Sequence, residues 1–377
     1  MTETKNTKET KEQMIKNIWT PPSSWKIPGT WFWWFWLFFI HDEDTEKTGK
    51  CRQLMVLWSI KKDKRISCNS LDIEIREQLK DEGDSRRKLD GAVAAWYFDG
   101  KAMHDDFVLE KSCMELDGKK LSLSAPGNAP SSFYLDGNDY VTKIDSESGS
   151  NRHKFEFRAK QDDAAPVGWP VHDSTSIPFG MRVEGTRIRR LSLTGTEEID
   201  GKKSVISGTA YFQKILVATP IPQWYWGVYH FKDRSVLTFM VSYVGRATLA
   251  DNAWKGVNLR KPTLPVTQSI MLYHAPSKRV FTANNVSVTA KDEGNQLWSH
   301  AVAGKGKDFE IDAFAQAYSR SCWRFVKNVS FLPIKSVFKY AEYPAVLKRL
   351  ELRTKSGEKI ELKDGWGNME NSWGFLI

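Results

Sequence analysis

Cysteine and histidine are scarce. The 377 residues include 4 Cys and 7 His. Cys51, Cys68, Cys113 and Cys322 never stand at a CxxC spacing, which excludes a zinc ribbon and a thioredoxin-like motif. A secreted disulfide framework would be denser, so the four read as reduced thiols of a cytoplasmic protein. Runs of basic residues are also lacking. Lys plus Arg is 55 and Asp plus Glu is 46, and the resulting +9 is spread along the chain, so no nucleic-acid partner is expected. There is no GxGxxG after a strand, no GxxxxGK[ST], no HExxH and no GxSxG, which removes dinucleotide, P-loop, zincin and α/β-hydrolase chemistry. The apolar run Trp31–Ile40 (WFWWFWLFFI) has ten residues, whereas a spanning helix needs about 20. It starts too late for a secretory signal and runs into His41, Asp42, Glu43 and Asp44. It reads as a strand buried on both faces.

What the chain has in excess is large rings, 16 Trp and 20 Phe. With 41% hydrophobic and 27% charged residues it is a folded chain, long enough for two domains at about 150 residues each. Strand patterns dominate, as in the alternating Phe155–Arg158 and Arg279–Ala290 and the continuous Val236–Val244. Asp-Gly pairs begin at Asp90, Asp99, Asp117, Asp136, Asp200 and Asp364, each able to supply the positive φ angles of a tight hairpin turn. Ser70–Gly83 fits either a helix (Leu71, Ile75, Leu79) or a strand (Leu71, Ile73, Ile75). Glu115–Ser124 echoes Glu198–Ser207, through convergent turn chemistry or a duplicated barrel. Many short strands joined by Asp-Gly turns predict an all-β protein of antiparallel sandwiches or barrels. The polar start predicts a disordered tail over 1–20. The turn-rich Thr194–Gly201 predicts a domain boundary at 190–200.

Three aromatic clusters stand out: Trp31–Trp36, Trp96–Phe98, and Trp224–Trp226 with Tyr229, His230 and Phe231. Strand alternation sends Trp34 and Trp36 to one face and Trp33 and Phe35 to the other. One face would line a barrel lumen, either as a cavity for a flat or elongated apolar ligand or as plain core. Tyr211 and Gln213 share a strand face and offer a phenol beside an amide. The predicted pocket is Trp34, Trp36, Trp224 and Trp226 around substrate, with Tyr211, Gln213 and His230 as the reacting or orienting groups. His104-Asp105-Asp106 and His172-Asp173 are too few for a metal site and read as solvated surface. No metal and no cofactor is expected.

Four segments together resemble the carotenoid 1,2-hydratases and AttH-like proteins. Gly29-Thr-Trp-Phe-Trp-Trp-Phe-Trp36 followed by Gly49–Trp58 is similar to the family's opening pair of strands. Gly208-Thr-Ala-Tyr-Phe-Gln213, Pro220 and Trp224–Trp226 are similar to its central segment. Ala341-Glu-Tyr-Pro344 and Gly365-Trp-Gly-Asn-Met-Glu370 are similar to its closing strands. The resemblance implies two packed lipocalin-like (calycin) antiparallel barrels, at 21–195 and 196–377. It also implies a hydrophobic isoprenoid-, polyene- or polyketide-like ligand, with hydration, cyclisation or isomerisation as the chemistry. The alternative is a non-catalytic carrier of a lipid-like ligand. The family's hydratases place an acid two residues after the tyrosine, where this chain has Gln213, which cannot deliver a proton. His230, Asp105 and Glu370 are the substitutes the sequence offers. A monomer or homodimer with at most transient membrane contact completes the expectation.

Overall fold

The computed structural model describes residues 11–20, 30–43, 45–62, 65–75, 80–81, 86–148, 151–161, 166–176, 182–218, 223–244, 264–294, 297–328 and 335–376. The fold is all-β. Ten strands close an antiparallel barrel in simple meander order: Trp31–Ile40, Arg52–Lys61, Arg86–Phe98, Met103–Asp117, Ser122–Ala125, Ser131–Asp136, Asp139–Ser148, Asn151–Gln161, Arg182–Ile199 and Lys202–Ala218. Closure comes from the last strand pairing with the first, Trp31 opposite Val217 through Ile40 opposite Gly208.

A second antiparallel sheet follows the same plan. Its first strand, Gln223–His230, pairs with its last, Gly365–Leu376. Outward from these lie Val236–Val244, Leu264–His274 and Arg279–Ala283 on one side, and Lys335–Thr354, Phe309–Ala317, Trp298–Lys305 and Asn285–Asp292 on the other. The two edge strands, Arg279–Ala283 and Asn285–Asp292, are consecutive in the chain and put Phe281, Ala283, Val286 and Val288 into one core. The sheet therefore curls round to meet itself at Asn284. Among the described residues its edges are joined by the Gln268 side chain, whose Nε2 donates to the Val286 carbonyl at 2.8 Å, and not by a ladder. No helix among the described residues is long and apolar enough to cross a membrane.

Several local expectations change. The turn Asp200-Gly201, both residues at positive φ, joins two strands of the barrel, so 190–200 divides nothing. The chain passes from the barrel to the second sheet between Ala218 and Gln223, and one hairpin of the first half, Arg65–Glu74, also pairs with the second sheet, Cys68 opposite Phe325. Both echoing segments are hairpins of the barrel, which favours convergent turn chemistry over duplication. Residues 71–74 form a strand, paired with Arg65–Cys68, and Leu79 lies outside the described residues. Of the expected tail, residues 1–10 lie outside the described residues. Lys11–Asn17 is a short helix, and Ile18 and Trp19 behind it are fully buried. Trp19 stacks on Phe133 with ring centroids 5.0 Å apart, so this segment plugs the barrel.

Gly208 is where the closing strands approach most tightly. A Cβ there would lie 1.9 Å from the Phe39 carbonyl oxygen, and a backbone atom held in a ladder cannot step aside. Gly208→Ala is expected to destabilise the protein by about 1–3 kcal/mol, read as an earlier urea midpoint. An unchanged midpoint would mean that the barrel does not close at this pair.

Candidate active site between the two sheets

Trp31–Ile40 is buried on both faces, with only Trp33 half-exposed. The reason is that both faces have work to do. Phe32, Trp34, Trp36 and Phe38 fill the barrel interior, while Phe35, Leu37 and Phe39 join a cluster between barrel and second sheet. The interior is packed with rings: Trp36 lies 4.8 Å from Phe212 and 5.3 Å from Phe133, and Phe38 stacks on Phe157 at 4.0 Å. Trp34 Nε1 donates to the Ile18 carbonyl at 2.7 Å. Trp34 and Trp36 are thus core of the barrel, and the structure does not bring them to Tyr211.

Of the other five, Tyr211, Gln213 and Trp226 lie together, while Trp224 and His230 stand at opposite ends of the same strand as Trp226 and contact other residues. Thr209, Tyr211 and Gln213 alternate along the barrel's closing strand, and Trp224, Trp226, Val228 and His230 alternate along the first strand of the second sheet. Both sets face the layer between the sheets. Tyr211 and Trp226 rings are 5.3 Å apart, and the Tyr211 hydroxyl donates to Gln213 Oε1 at 3.1 Å. His230 has no nitrogen to spare. Its Nε2 donates to the Arg189 carbonyl at 2.7 Å, so Nδ1 must accept from the Thr209 hydroxyl at 2.8 Å. Thr209 in turn accepts from Trp366 Nε1 at 2.9 Å. Burial pushes the His230 pKa well below its ordinary value, so the ring is neutral. It fastens the two sheets together and is not placed to move a proton.

The groups placed to do so are carboxyls. Glu342 and Glu370 sit directly opposite each other on the neighbouring strands Lys335–Thr354 and Gly365–Leu376. Side chains so paired share a face with Cβ atoms about 5 Å apart. Glu342 is fully buried and Glu370 is 6% exposed. Each accepts from a tryptophan: Trp96 Nε1, reaching over from the barrel, lies 3.0 Å from Glu342 Oε2, and Trp224 Nε1 lies 2.7 Å from Glu370 Oε2. Burial raises both carboxyls. Glu370 is pushed up to about 7, and Glu342 goes well above the usual carboxylate range, first through burial and then through Glu370 beside it. Trp226, Trp323, Tyr340 and Trp366 complete the surroundings.

Glu370 was among the sequence's candidate acids. Glu342 was not, although it lies in the Ala341–Pro344 segment. The layer also holds polar atoms without a partner among the described residues, namely Glu342 Oε1, Gln53 Oε1, and both Oδ1 and Nδ2 of the fully buried Asn368. Asn368 lies on the Glu370 face, two residues before it. The remaining candidates are engaged elsewhere. His104 Nε2 bonds Asp99 at 2.9 Å, Asp105 is exposed, and Asp106 accepts from Asn69 Nδ2 at 2.8 Å. His172 bonds Thr186 at 3.2 Å, and Asp173 pairs with Arg187.

A carboxylic acid kept protonated near neutral pH, beside a second carboxyl that ionises near 7, is an acid–base couple. Ring faces stand round it to stabilise developing positive charge.

No protein-family model and no curated protein matches the chain. Solved structures do. A Nitrosomonas europaea protein assigned to AttH is similar at 11% identity and TM-score 0.46, covering 91% of this chain and 92% of its own. Kievitone hydratase from Nectria haematococca is similar at 10% identity and TM-score 0.40, covering 92% and 89%. CghA, solved with Sch210972, is similar at 8% identity and TM-score 0.42, covering 92% and 89%. At these identities the likeness is one of fold, and the chemistry rests on this chain's own residues.

Proposed function

We propose that the protein is a cofactor-independent acid catalyst acting on a hydrophobic isoprenoid-, polyene- or polyketide-like molecule between its sheets, by isomerisation, cyclisation or hydration. The observation that carries this reading is the buried pair Glu342 and Glu370. Glu342 gives its proton to an alkene carbon. The π pair forms the new C–H bond, and the adjacent carbon becomes cationic beside the indoles. Loss of a neighbouring proton to Glu370 gives the isomer. Attack by a second double bond and then proton loss gives the ring. Attack by water, whose proton returns to the pair, gives the alcohol. The pair fills the role that Gln213 cannot.

The test is deuterium incorporation from D2O into terminal isoprenoid alkenes, read by mass spectrometry. Wild type is expected to incorporate label, and Tyr211→Phe to retain it. Glu342→Gln and Glu370→Gln are expected to lose about 100-fold or more. Undiminished incorporation in both glutamine variants would sink the acid role. The carrier reading, favoured by Gln213, predicts that wild type binds the same alkenes and incorporates nothing.

A further inference from the structure

Tyr211 and Gln213 stand beside two arginines that the acid chemistry does not use. Arg187 lies on the next strand of the barrel, opposite Gln213. Ile188 and Leu191 of that strand point into the barrel core, so Arg187 points outward with Gln213. The ladder then skips. Ile188 faces Phe212 and Leu191 faces Ala210, so Arg189 and Arg190 share the place opposite Tyr211. Such a bulge re-aims side chains. Arg190 turns to the Trp366 ring, 5.9 Å away. Arg189 stays with Tyr211 and Arg187, close enough for their charges to act on one another.

The two guanidiniums are satisfied unequally. Arg187 pairs with Asp173, its Nη1 touching both carboxylate oxygens, and it neighbours the Tyr211 hydroxyl as well. Gly185 leaves the space over which it lies, since a Cβ there would be 2.8 Å from Nη1. The Arg189 side chain has no hydrogen bond or ion pair among the described residues, because the acid within reach, Asp173, is taken. Burial holds its pKa below the ordinary guanidinium value, and Arg187 beside it acts in the same sense. Gln213 Oε1 accepts from Tyr211, and its Nε2 hydrogens are unused among the described residues. Two cations and one acid leave one positive charge unmatched. The place is open to solvent. Arg187, Arg189 and Gln213 are half-buried, as is Met240 beside Trp226 on the second sheet.

With Glu342 and Glu370 as the acid pair of the proposed reaction, on which this rests, we propose that Arg189 and Arg187 bind the head of the substrate, and that the head is a carboxylate on an isoprenoid or polyene chain. A planar guanidinium fork matches a carboxylate, as Asp173 already shows on Arg187. The incoming carboxylate accepts from Arg189 and from Gln213 Nε2, with Arg187 adding its charge. One unmatched positive charge suits a monoanion, and a diphosphate would bring more negative charge than the place neutralises. The tail has a path to the acids. The Trp226 ring lies 5.3 Å from Tyr211, and Trp226 stands opposite Glu370 on the neighbouring strand. A head fixed at the arginines sets which double bond of the chain reaches Glu342.

Farnesoate and farnesol share one chain and differ in the head, and both are titrated calorimetrically into the full chain at pH 7. Wild type is expected to bind farnesoate about tenfold more tightly than farnesol, and the gap is expected to narrow at high salt. Arg189→Met is expected to erase the preference by weakening farnesoate and to leave farnesol unchanged. Asp173→Asn, on an exposed side chain, frees Arg187 and is expected to tighten farnesoate about threefold, and it serves if the Arg189 variant does not fold. Equal binding of farnesoate and farnesol by wild type would overturn the proposal. So would tighter binding of farnesyl diphosphate than of farnesoate, or a preference that neither variant moves. Glu342→Gln is expected to keep the preference while losing deuterium incorporation. A preference for farnesoate in a wild type that incorporates no label would remove the acid chemistry and leave the head site standing. Label without the preference would do the reverse.

Discussion

Phe35→Asp is expected to leave the chain insoluble. Phe35 is 3% exposed, lies in the layer between the sheets and meets Trp226 edge-on at 6.4 Å. Its strand neighbours are Leu57 on one side and Gln213 on the other, neither of which can pair with a charge. Glu342 and Glu370 in the same layer would repel its charge, and Arg187, which neighbours Tyr211, is already paired with Asp173. An unpaired buried carboxylate costs several kcal/mol, comparable to the whole stability of a domain. Val205→Asp is the control. Val205 is 86% exposed, and the change is expected to leave solubility and melting temperature as they were. A soluble, normally melting Phe35→Asp protein would show that the two sheets do not close over this strand.

The strands were legible because their cause is local. Alternation, β-branched runs and Asp-Gly turns act within a few residues, and Asp200-Gly201 takes the left-handed angles that its hairpin needs. The same dipeptide misleads at Asp90-Gly91, in the middle of the strand Arg86–Phe98. A Cβ at Gly91 would lie 2.2 Å from the Ser59 carbonyl oxygen, so this glycine serves a close approach and not a turn. Alternation correctly separated Trp34 and Trp36 from Trp33 and Phe35. It could not say which face looks into the barrel, because a strand apolar on both faces carries no polar side to orient it. The tail reading failed at Trp19, where two residues after a polar helix are enough to plug the barrel. The acid pair was hidden for a different reason. Glu342 and Glu370 face each other across one long hairpin, whose register runs unbroken from Arg353 opposite Lys359, beside the Ser356-Gly357 turn, to Ser336 opposite Leu376. The turn chemistry is local and legible, but the pairing appears only when its register is carried back along both arms, far beyond the range over which alternation and turn residues are read.

Glu370→Gln is expected to stabilise the protein increasingly as pH rises from 5 to 8. The carboxyl's pKa is about 7 in the folded chain against 4.5 when exposed, so between those values the folded state holds a proton that the unfolded state has lost. Stability that depends on this proton is complete below pH 4.5, falls through the window between 4.5 and 7, and is gone above it. Linkage over that interval amounts to about 3 kcal/mol. Glutamine is close in shape, can still accept from Trp224 Nε1, and does not ionise, so it escapes the loss. The comparison must be variant against wild type at each pH. His41, His230 and His300 have pKa values lowered by burial and tilt the absolute curve the other way, losing stability as pH falls below 6.5. They are common to both proteins and cancel in the difference. A variant that gains melting temperature at pH 8 and none at pH 5 has the carboxyl where the structure puts it, buried and half ionised at neutrality. Curves that run parallel at every pH would mean that Glu370 titrates as an exposed group, and the acid–base couple proposed between the sheets would lose its second member.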